Sequence, residues 1–273
     1  GEELWRYTAP GVDDINFTRI FGGKCRGVSY YEALAYDAPA YDARNDALYD
    51  QALYDTPPYH EAPQQISQSE TSCPKRIITI RPDGYLIALN AADGNLCTGF
   101  GDKGAADLHA GIGPLPDGAR QEILTMPSSP PAIVNGIVVI GQTVTDLGSV
   151  DAPSGVIRGY DAVTGALKWA WDAGRPDRTL LQPGEYYTRN TPNAWGVFSG
   201  DEELGLVYVP TGNSLPDYYG GSRPQFAEQF ASAVVALDVT TGKVRWSFQT
   251  VHHDTWDYDI GAQPVSVDLP SPN

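Results

Sequence analysis

The sequence predicts an all-β fold, a β-propeller of four-stranded antiparallel blades, and three observations carry that expectation. The first is a repeat. Ala88-Leu-Asn-Ala-Ala-Asp-Gly-Asn-Leu-Cys97, Gly159-Tyr-Asp-Ala-Val-Thr-Gly-Ala-Leu-Lys-Trp169 and Ala236-Leu-Asp-Val-Thr-Thr-Gly-Lys-Val-Arg-Trp246 each pass from an apolar strand through Asp or Asn and a glycine-closed turn into a second strand. The second is composition: 29 Gly, 22 Pro and abundant Tyr and Trp suit many short strands joined by tight turns and suit long helices poorly. The third is a series of short strand-like runs between the repeats, enough to give each copy a four-stranded sheet. A solenoid is the alternative, but the repeat is too long and irregular for one.

Taken in order, Gly1-Glu-Glu-Leu-Trp5 reads as the tail of an earlier copy whose first strand is missing. In each copy Asp or Asn caps the turn, Gly takes a positive φ, and the aromatic on the outgoing strand packs against the next unit. Equivalent glycines fall at Gly1, Gly94, Gly165 and Gly242, too far apart for compact blades, so insertions sit between them. The largest, at about 32–68, is rich in Tyr, Asp, Ala and Pro and reads as a surface excursion, with a short helical turn at 46–53. Strands are expected at 76–81, 85–90, 133–141, 156–160, 206–210 and 232–237. Residues 172–189 read as a loop, and 215–229 as a Pro-rich segment over a blade top. The whole of 1–273 is then one partial propeller domain holding about four blades, a piece of a longer chain whose remaining blades lie elsewhere.

Three cysteines are too few and too scattered for a zinc site or a disulfide framework. One bridge, with Cys73–Cys97 the preferred pair, leaves Cys25 over. No secretory signal or membrane span is evident, because the longest apolar stretch, 133–140, is short and holds Asn135 and Gly136. With 18 basic against 34 acidic residues the formal net charge is -16, which repels nucleic acid and anionic membrane and is compatible with a divalent cation.

Chemistry concentrates in His252-His-Asp-Thr-Trp-Asp-Tyr-Asp259, where two histidines, three carboxylates and two large aromatics follow an apolar strand. No amphipathic period accounts for that density. Three other strand ends join it: Cys25-Arg-Gly-Val28, Thr143-Val-Thr-Asp146 and Pro210-Thr-Gly-Asn213. In a propeller such ends converge, so Asp146, Asn213 and Asp257 offer one set of hard oxygen ligands, better suited to Ca²⁺ than to Zn²⁺. A zinc site built on His252, His253 and Asp254 is disfavoured, since adjacent strand residues point to opposite faces. Hydrogen bonding around Asp257 is the role expected of the histidines.

In chain order, CRGVSYY at Cys25–Tyr31, SPP at Ser129–Pro131, GVIRGYDAVTG at Gly155–Gly165, TPNAW at Thr191–Trp195, PTGN at Pro210–Asn213, PDYYGG at Pro216–Gly221 and VHHDTWDYD at Val251–Asp259 resemble the pyrroloquinoline-quinone (PQQ) dehydrogenases. Within that family the chain looks most like the branch of membrane-bound glucose, quinate and shikimate enzymes. This resemblance implies an eight-bladed propeller holding PQQ and a divalent cation, usually Ca²⁺. It implies Asp257 as the catalytic carboxylate, Arg26 as a PQQ contact, Trp195 as the aromatic floor under the cofactor, and Asp146 and Asn213 as metal ligands with Asp257. Thr143 and Trp256 are counted with the cofactor contacts. The substrate implied is a sugar, polyol or cyclic hydroxy acid, and the electron acceptor a membrane quinone. The location implied is the periplasm, with the parent protein anchored in the inner membrane. The sequence departs from the family before Arg26, where Ile20, Phe21 and Gly22 replace the adjacent cysteines of the alcohol dehydrogenases and no histidine of the glucose enzymes appears. A non-catalytic propeller scaffold is the alternative, which would need no set of Arg26, Asp146, Asn213 and Asp257.

Overall fold

The computed structural model describes residues 2–9, 27–33, 73–115, 125–145 and 150–269. Three four-stranded antiparallel sheets form most of it. The first joins β1 (Ser29–Glu32), β2 (Lys75–Arg81), β3 (Tyr85–Asn90) and β4 (Ala105–Asp107) in that order. Next come β5 (Thr125–Met126), β6 (Ala132–Val134), β7 (Ile137–Ile140) and β8 (Thr143–Val144), then β9 (Ile157–Asp161) and β10 (Leu167–Trp171). The second sheet has the order β10-β9-β7-β6, and β5 pairs with β8 as a two-stranded ribbon. The third runs β11 (Ser199–Asp201), β12 (Leu206–Pro210), β13 (Ala233–Asp238) and β14 (Val244–Gln249). Each sheet is a meander, the form of a propeller blade.

The repeated turn folds as its residues dictate. Asp161 Oδ1 accepts from the Val163 and Thr164 amides, Asp238 Oδ1 from those of Thr240 and Thr241, and Asn90 Oδ1 from that of Ala92. The outgoing aromatic then docks on the next turn. The Trp169 indole donates to the Val239 carbonyl at 2.7 Å and lies over Gly242, where a Cβ would come within 2.5 Å of the ring. Trp5 repeats this on the first turn, donating to the Ala91 carbonyl at 3.0 Å and covering Gly94. The segment at Gly1–Trp5 thus supplies the aromatic expected of a preceding copy, though its described residues add no strand. At the middle joint Phe100 takes the place of tryptophan, against Gly165.

Two apolar interfaces hold the sheets face to face. Ile78, Leu86, Ala88 and Phe100 pack against Val138, Ile140, Tyr160 and Ala162. Val139, Ile157, Trp169 and Trp171 pack against Val207, Val209, Val235 and Leu237. Buried Arg76 reinforces the first joint by donating to the carbonyls of Cys73, Ala162 and Val163. A Cys73–Cys97 disulfide joins the start of β2 to the segment beyond β3, the pairing the sequence favoured.

Some expectations need correction. The run 133–141 is not one strand: Asn135 and Gly136, both with positive φ, turn it into the β6–β7 hairpin. The Pro-rich 215–229 segment, for which no helix was expected, holds a 3₁₀ turn at Gly220–Ser222 and most of a short helix, α1 (Gln225–Phe230). Cys25 and the helical turn expected at 46–53 lie outside the described residues.

Candidate functional site

One hydrogen-bonded chain runs from the β5–β8 ribbon to the loop that follows β12. Thr143 on β8 bonds to the Ser128 hydroxyl at 2.6 Å. Ser128 and Ser129 donate to the Trp195 carbonyl, and Ser129 also to that of Gly196. The Trp195 indole donates to Asp259 Oδ2 at 2.8 Å, while Asp259 Oδ1 accepts from the Asn213 amide at 2.6 Å. Thr143, Trp195 and Asn213, selected separately from the sequence, are therefore brought together through Ser128 and Asp259. Gly212 makes this possible: a Cβ there would lie 2.9 Å from Asp259 Oδ1 and 3.0 Å from Asn193 Oδ1.

The turn that follows β14 is organised by Asp254. This carboxylate is 2 % exposed and accepts from the Ser232 hydroxyl and from the amides of Trp256, Tyr258 and Asp259. Burial alone would raise its pKa, but the four donors outweigh burial and hold it below the ordinary carboxylate value. Asp254 also offers its backbone carbonyl to Asn213 Nδ2 at 3.1 Å. So the turn is built inside out, with one aspartate spent on its architecture and the next presented at the surface.

That next aspartate is Asp257. It is partly exposed, has a φ of 59°, and its Oδ2 lies 3.4 Å from the Tyr218 hydroxyl. Trp256, Tyr258, Tyr218 and Tyr219 are all exposed around it. His253 does not serve Asp257 as expected; its Nδ1 pairs at 3.0 Å with Glu228 of α1. That pairing and the Tyr218 contact tie 216–230 to the turn as a wall beside Asp257.

Of the ligand set read from the sequence, Arg26 and Asp146 lie outside the described residues. Asn213 is buried, with Oδ1 accepting from the Ser214 amide and Nδ2 donating to carbonyl oxygens. Among the described residues no group of three or more His, Cys, Asp or Glu side chains gathers to hold a metal. Two oxygens beside Asn213 are nevertheless buried without a hydrogen-bond partner, Asn193 Oδ1 and Ser214 Oγ. Buried oxygens rarely stay unpaired, and hard oxygens of this kind suit Ca²⁺ or a polar cofactor edge. With the anchored Trp195 ring and the partly exposed Asp257, the residues present fit a flat polar cofactor and a hard cation.

Sequence reasoning missed Asp259, Ser128, Asn193 and Tyr218. Asn193 stood in the TPNAW motif, cited there for its tryptophan. Asp259 counted only as one of three carboxylates in its cluster, and nothing local marked it as the partner of Trp195.

Comparison with known proteins agrees with this fold. A family profile for the glucose/ethanol/alcohol dehydrogenase β-propeller domain of PQQ proteins matches residues 1–273. The chain is 46% identical over 271 residues to the glycerol dehydrogenase large subunit of Gluconobacter oxydans (strain 621H), covering 99% of this chain and 31% of that protein. It is 36% identical over 271 residues to the quinate/shikimate dehydrogenase (quinone) of Acinetobacter baylyi, with 99% and 30% covered. The crystal structure of the quinohemoprotein alcohol dehydrogenase from Comamonas testosteroni superposes with a TM-score of 0.50 at 24% identity, over 69% of this chain and 28% of that one, a likeness of fold. The chain spans about a third of the length of these curated relatives.

Proposed function

The chain belongs to the PQQ-dependent glucose/ethanol/alcohol dehydrogenase β-propeller family, and we propose that the protein containing it oxidises a sugar, polyol or cyclic hydroxy acid. The observation that carries this reading is the hydrogen-bonded chain from Thr143 through Trp195 and Asp259 to Asn213, which ends beside the turn presenting Asp257. When bound, PQQ supplies the electron-pair acceptor, and a divalent cation supplies the Lewis acid that stabilises the charge it gains.

The chain's own residues do the rest. Trp195 provides the aromatic floor, anchored at its carbonyl by serine hydroxyls and at its indole by Asp259. Thr143, Trp256 and Arg26 would contact the cofactor, and Asp146, Asn213 and Asp257 would hold the cation. Asp257 would take the hydroxyl proton of the substrate while the carbinol carbon gives up its hydrogen with the bonding pair, as hydride, to the acceptor that bound PQQ supplies, so the alcohol becomes a carbonyl compound. The wall of Tyr218 and Tyr219 stands where the substrate enters. Electrons pass onward to a membrane quinone, and the site faces the periplasm of a protein anchored in the inner membrane. The Cys73–Cys97 disulfide supports an oxidising compartment. Among the described residues no helix is long and apolar enough to cross a membrane.

The test is reconstitution of the protein, expressed from its complete reading frame, with PQQ and Ca²⁺. Uptake of the cofactor by absorbance and dye-linked oxidation of glucose, glycerol, quinate and shikimate are the expected results. Failure to take up PQQ would leave the fold as a scaffold and sink the dehydrogenase reading.

A further inference from the structure

We propose that Asp259 is a positioning residue, one carboxylate that sets the orientation of the Trp195 ring and the path of the Asn213 loop together. The inference rests on the dehydrogenase reading and adds a role to it. Asp259 reaches across two chain distances at once: its Oδ2 accepts the Trp195 indole N–H, 64 residues away, and its Oδ1 the Asn213 amide, 46 residues away. Two N–H donors converging on separate oxygens call for a carboxylate, because an asparagine would turn its NH₂ group toward one of them.

Desolvation of the indole does not by itself require this partner. Trp195 is only half buried, so water can satisfy its N–H. What the carboxylate adds is direction. The far edge of the ring abuts Gly261, where a Cβ would come within 2.6 Å of Cη2, and the ring's own carbonyl is held by Ser128 and Ser129. Asp259 closes the remaining freedom. Its backbone has a φ of 51°, in the left-handed region that non-glycine residues rarely occupy, and Gly212 leaves room for its side chain. A left-handed backbone and an obligatory glycine thus converge on one carboxylate beside the floor of the site.

The test begins without cofactor. An ultraviolet resonance Raman difference spectrum, wild type minus Trp195→Phe, should carry the signature of a strongly hydrogen-bonded indole N–H, and Asp259→Asn should weaken it. A double-mutant cycle follows in the full-length protein, with PQQ affinity as the readout. Asp259→Asn alone should weaken PQQ binding by about tenfold or more, the worth of a charge-assisted hydrogen bond. In the Trp195→Phe background the same change should shift it clearly less, because only the Asn213 contact then remains to be lost. Equal losses in both backgrounds would overturn the proposal. The Asn213 arm is read by Ca²⁺ affinity, which Asp259→Asn should lower in both backgrounds; an unchanged Ca²⁺ affinity would overturn that arm. Should Asp259→Asn fail to fold, the wild-type Raman spectrum still decides, since a weakly bonded indole N–H sinks the clamp. Wild type that takes up no PQQ would sink the dehydrogenase reading as well, whereas PQQ binding with additive losses would sink this inference alone.

Discussion

At the scale of single residues, Asp254 and Asp257 stand three positions apart in one turn and do opposite work. Asp254 is buried under four donors, so its charge stabilises the folded turn; Asp257 is partly exposed, so its charge is available for chemistry. Asp257→Asn should leave PQQ uptake largely intact and lower turnover by about 10²–10⁴-fold, the usual worth of a positioned base, as measured by dye-linked assay with cofactor content in parallel. Asp254→Asn should reduce turnover less and act mainly on stability, because an amide NH₂ would face an N–H or hydroxyl donor. The pH dependence follows from the direction of its shift. A carboxyl held below its ordinary value of 3.8 contributes stability above that pH and loses it as pH falls toward the folded pKa. Denaturant unfolding of wild type and Asp254→Asn should therefore differ most near about pH 6 and converge below about pH 4.

At the scale of elements, the joint between blades is one aromatic seated on one glycine turn. Gly242 has a φ of 71°, and the buried Trp169 ring fills the space a side chain would need. Gly242→Ala should cost about 2 kcal/mol or more, from the left-handed backbone and from overpacking against a ring that cannot move aside. Trp169→Phe keeps most of the apolar contact and loses the bond to Val239, about 1 kcal/mol. Chemical unfolding of both variants checks the order, and a larger loss in Trp169→Phe would show that the turn is more tolerant than its geometry indicates. The disulfide acts on the same scale: it closes a separation of 24 residues beneath the first joint. Cys73→Ser with Cys97→Ser should lower unfolding free energy by about 3 kcal/mol, chiefly by freeing the unfolded chain.

At the scale of the molecule, three sheets stack so that the loop ends carrying Thr143, Trp195 and Asn213 reach one hydrogen-bonded chain. The final strand, β14, leaves Trp246 45% exposed although it occupies the repeat position of the buried Trp169. The repeat residue is the same and the neighbour differs, so burial here depends on what lies against the sheet. A formal charge of -16 over this surface makes cation binding favourable and nucleic acid a poor partner. Under the proposed function, a chelator should remove activity from the full-length protein and added Ca²⁺ should restore it. Activity that survives complete removal of divalent ions would exclude the cation role given to Asn213 and Asp257.

The sequence by itself determined what is local. The glycine turns at Gly94, Gly165 and Gly242, the Asp and Asn caps, the strands that flank them and the Asp254 bonds to the Trp256, Tyr258 and Asp259 amides all depend on residues within a few positions, so their pattern is visible in the chain. The motifs holding Thr143, Asn213 and Asp257 were legible for the same reason, as strand ends rich in polar side chains, whereas Trp195 was legible only through the resemblance of its TPNAW motif to a known family. Only tertiary structure decided which of them touch. The Asp259 bonds to Trp195 and Asn213 span 64 and 46 residues, and the Glu228–His253 pair spans 25, so no local period announces them. The 133–141 run misled because an apolar stretch reads alike as one strand or two, and only the positive φ values at Asn135 and Gly136 made it a hairpin. Local backbone chemistry writes the blades, whereas the packing of one blade against the next selects which loop residues become a site.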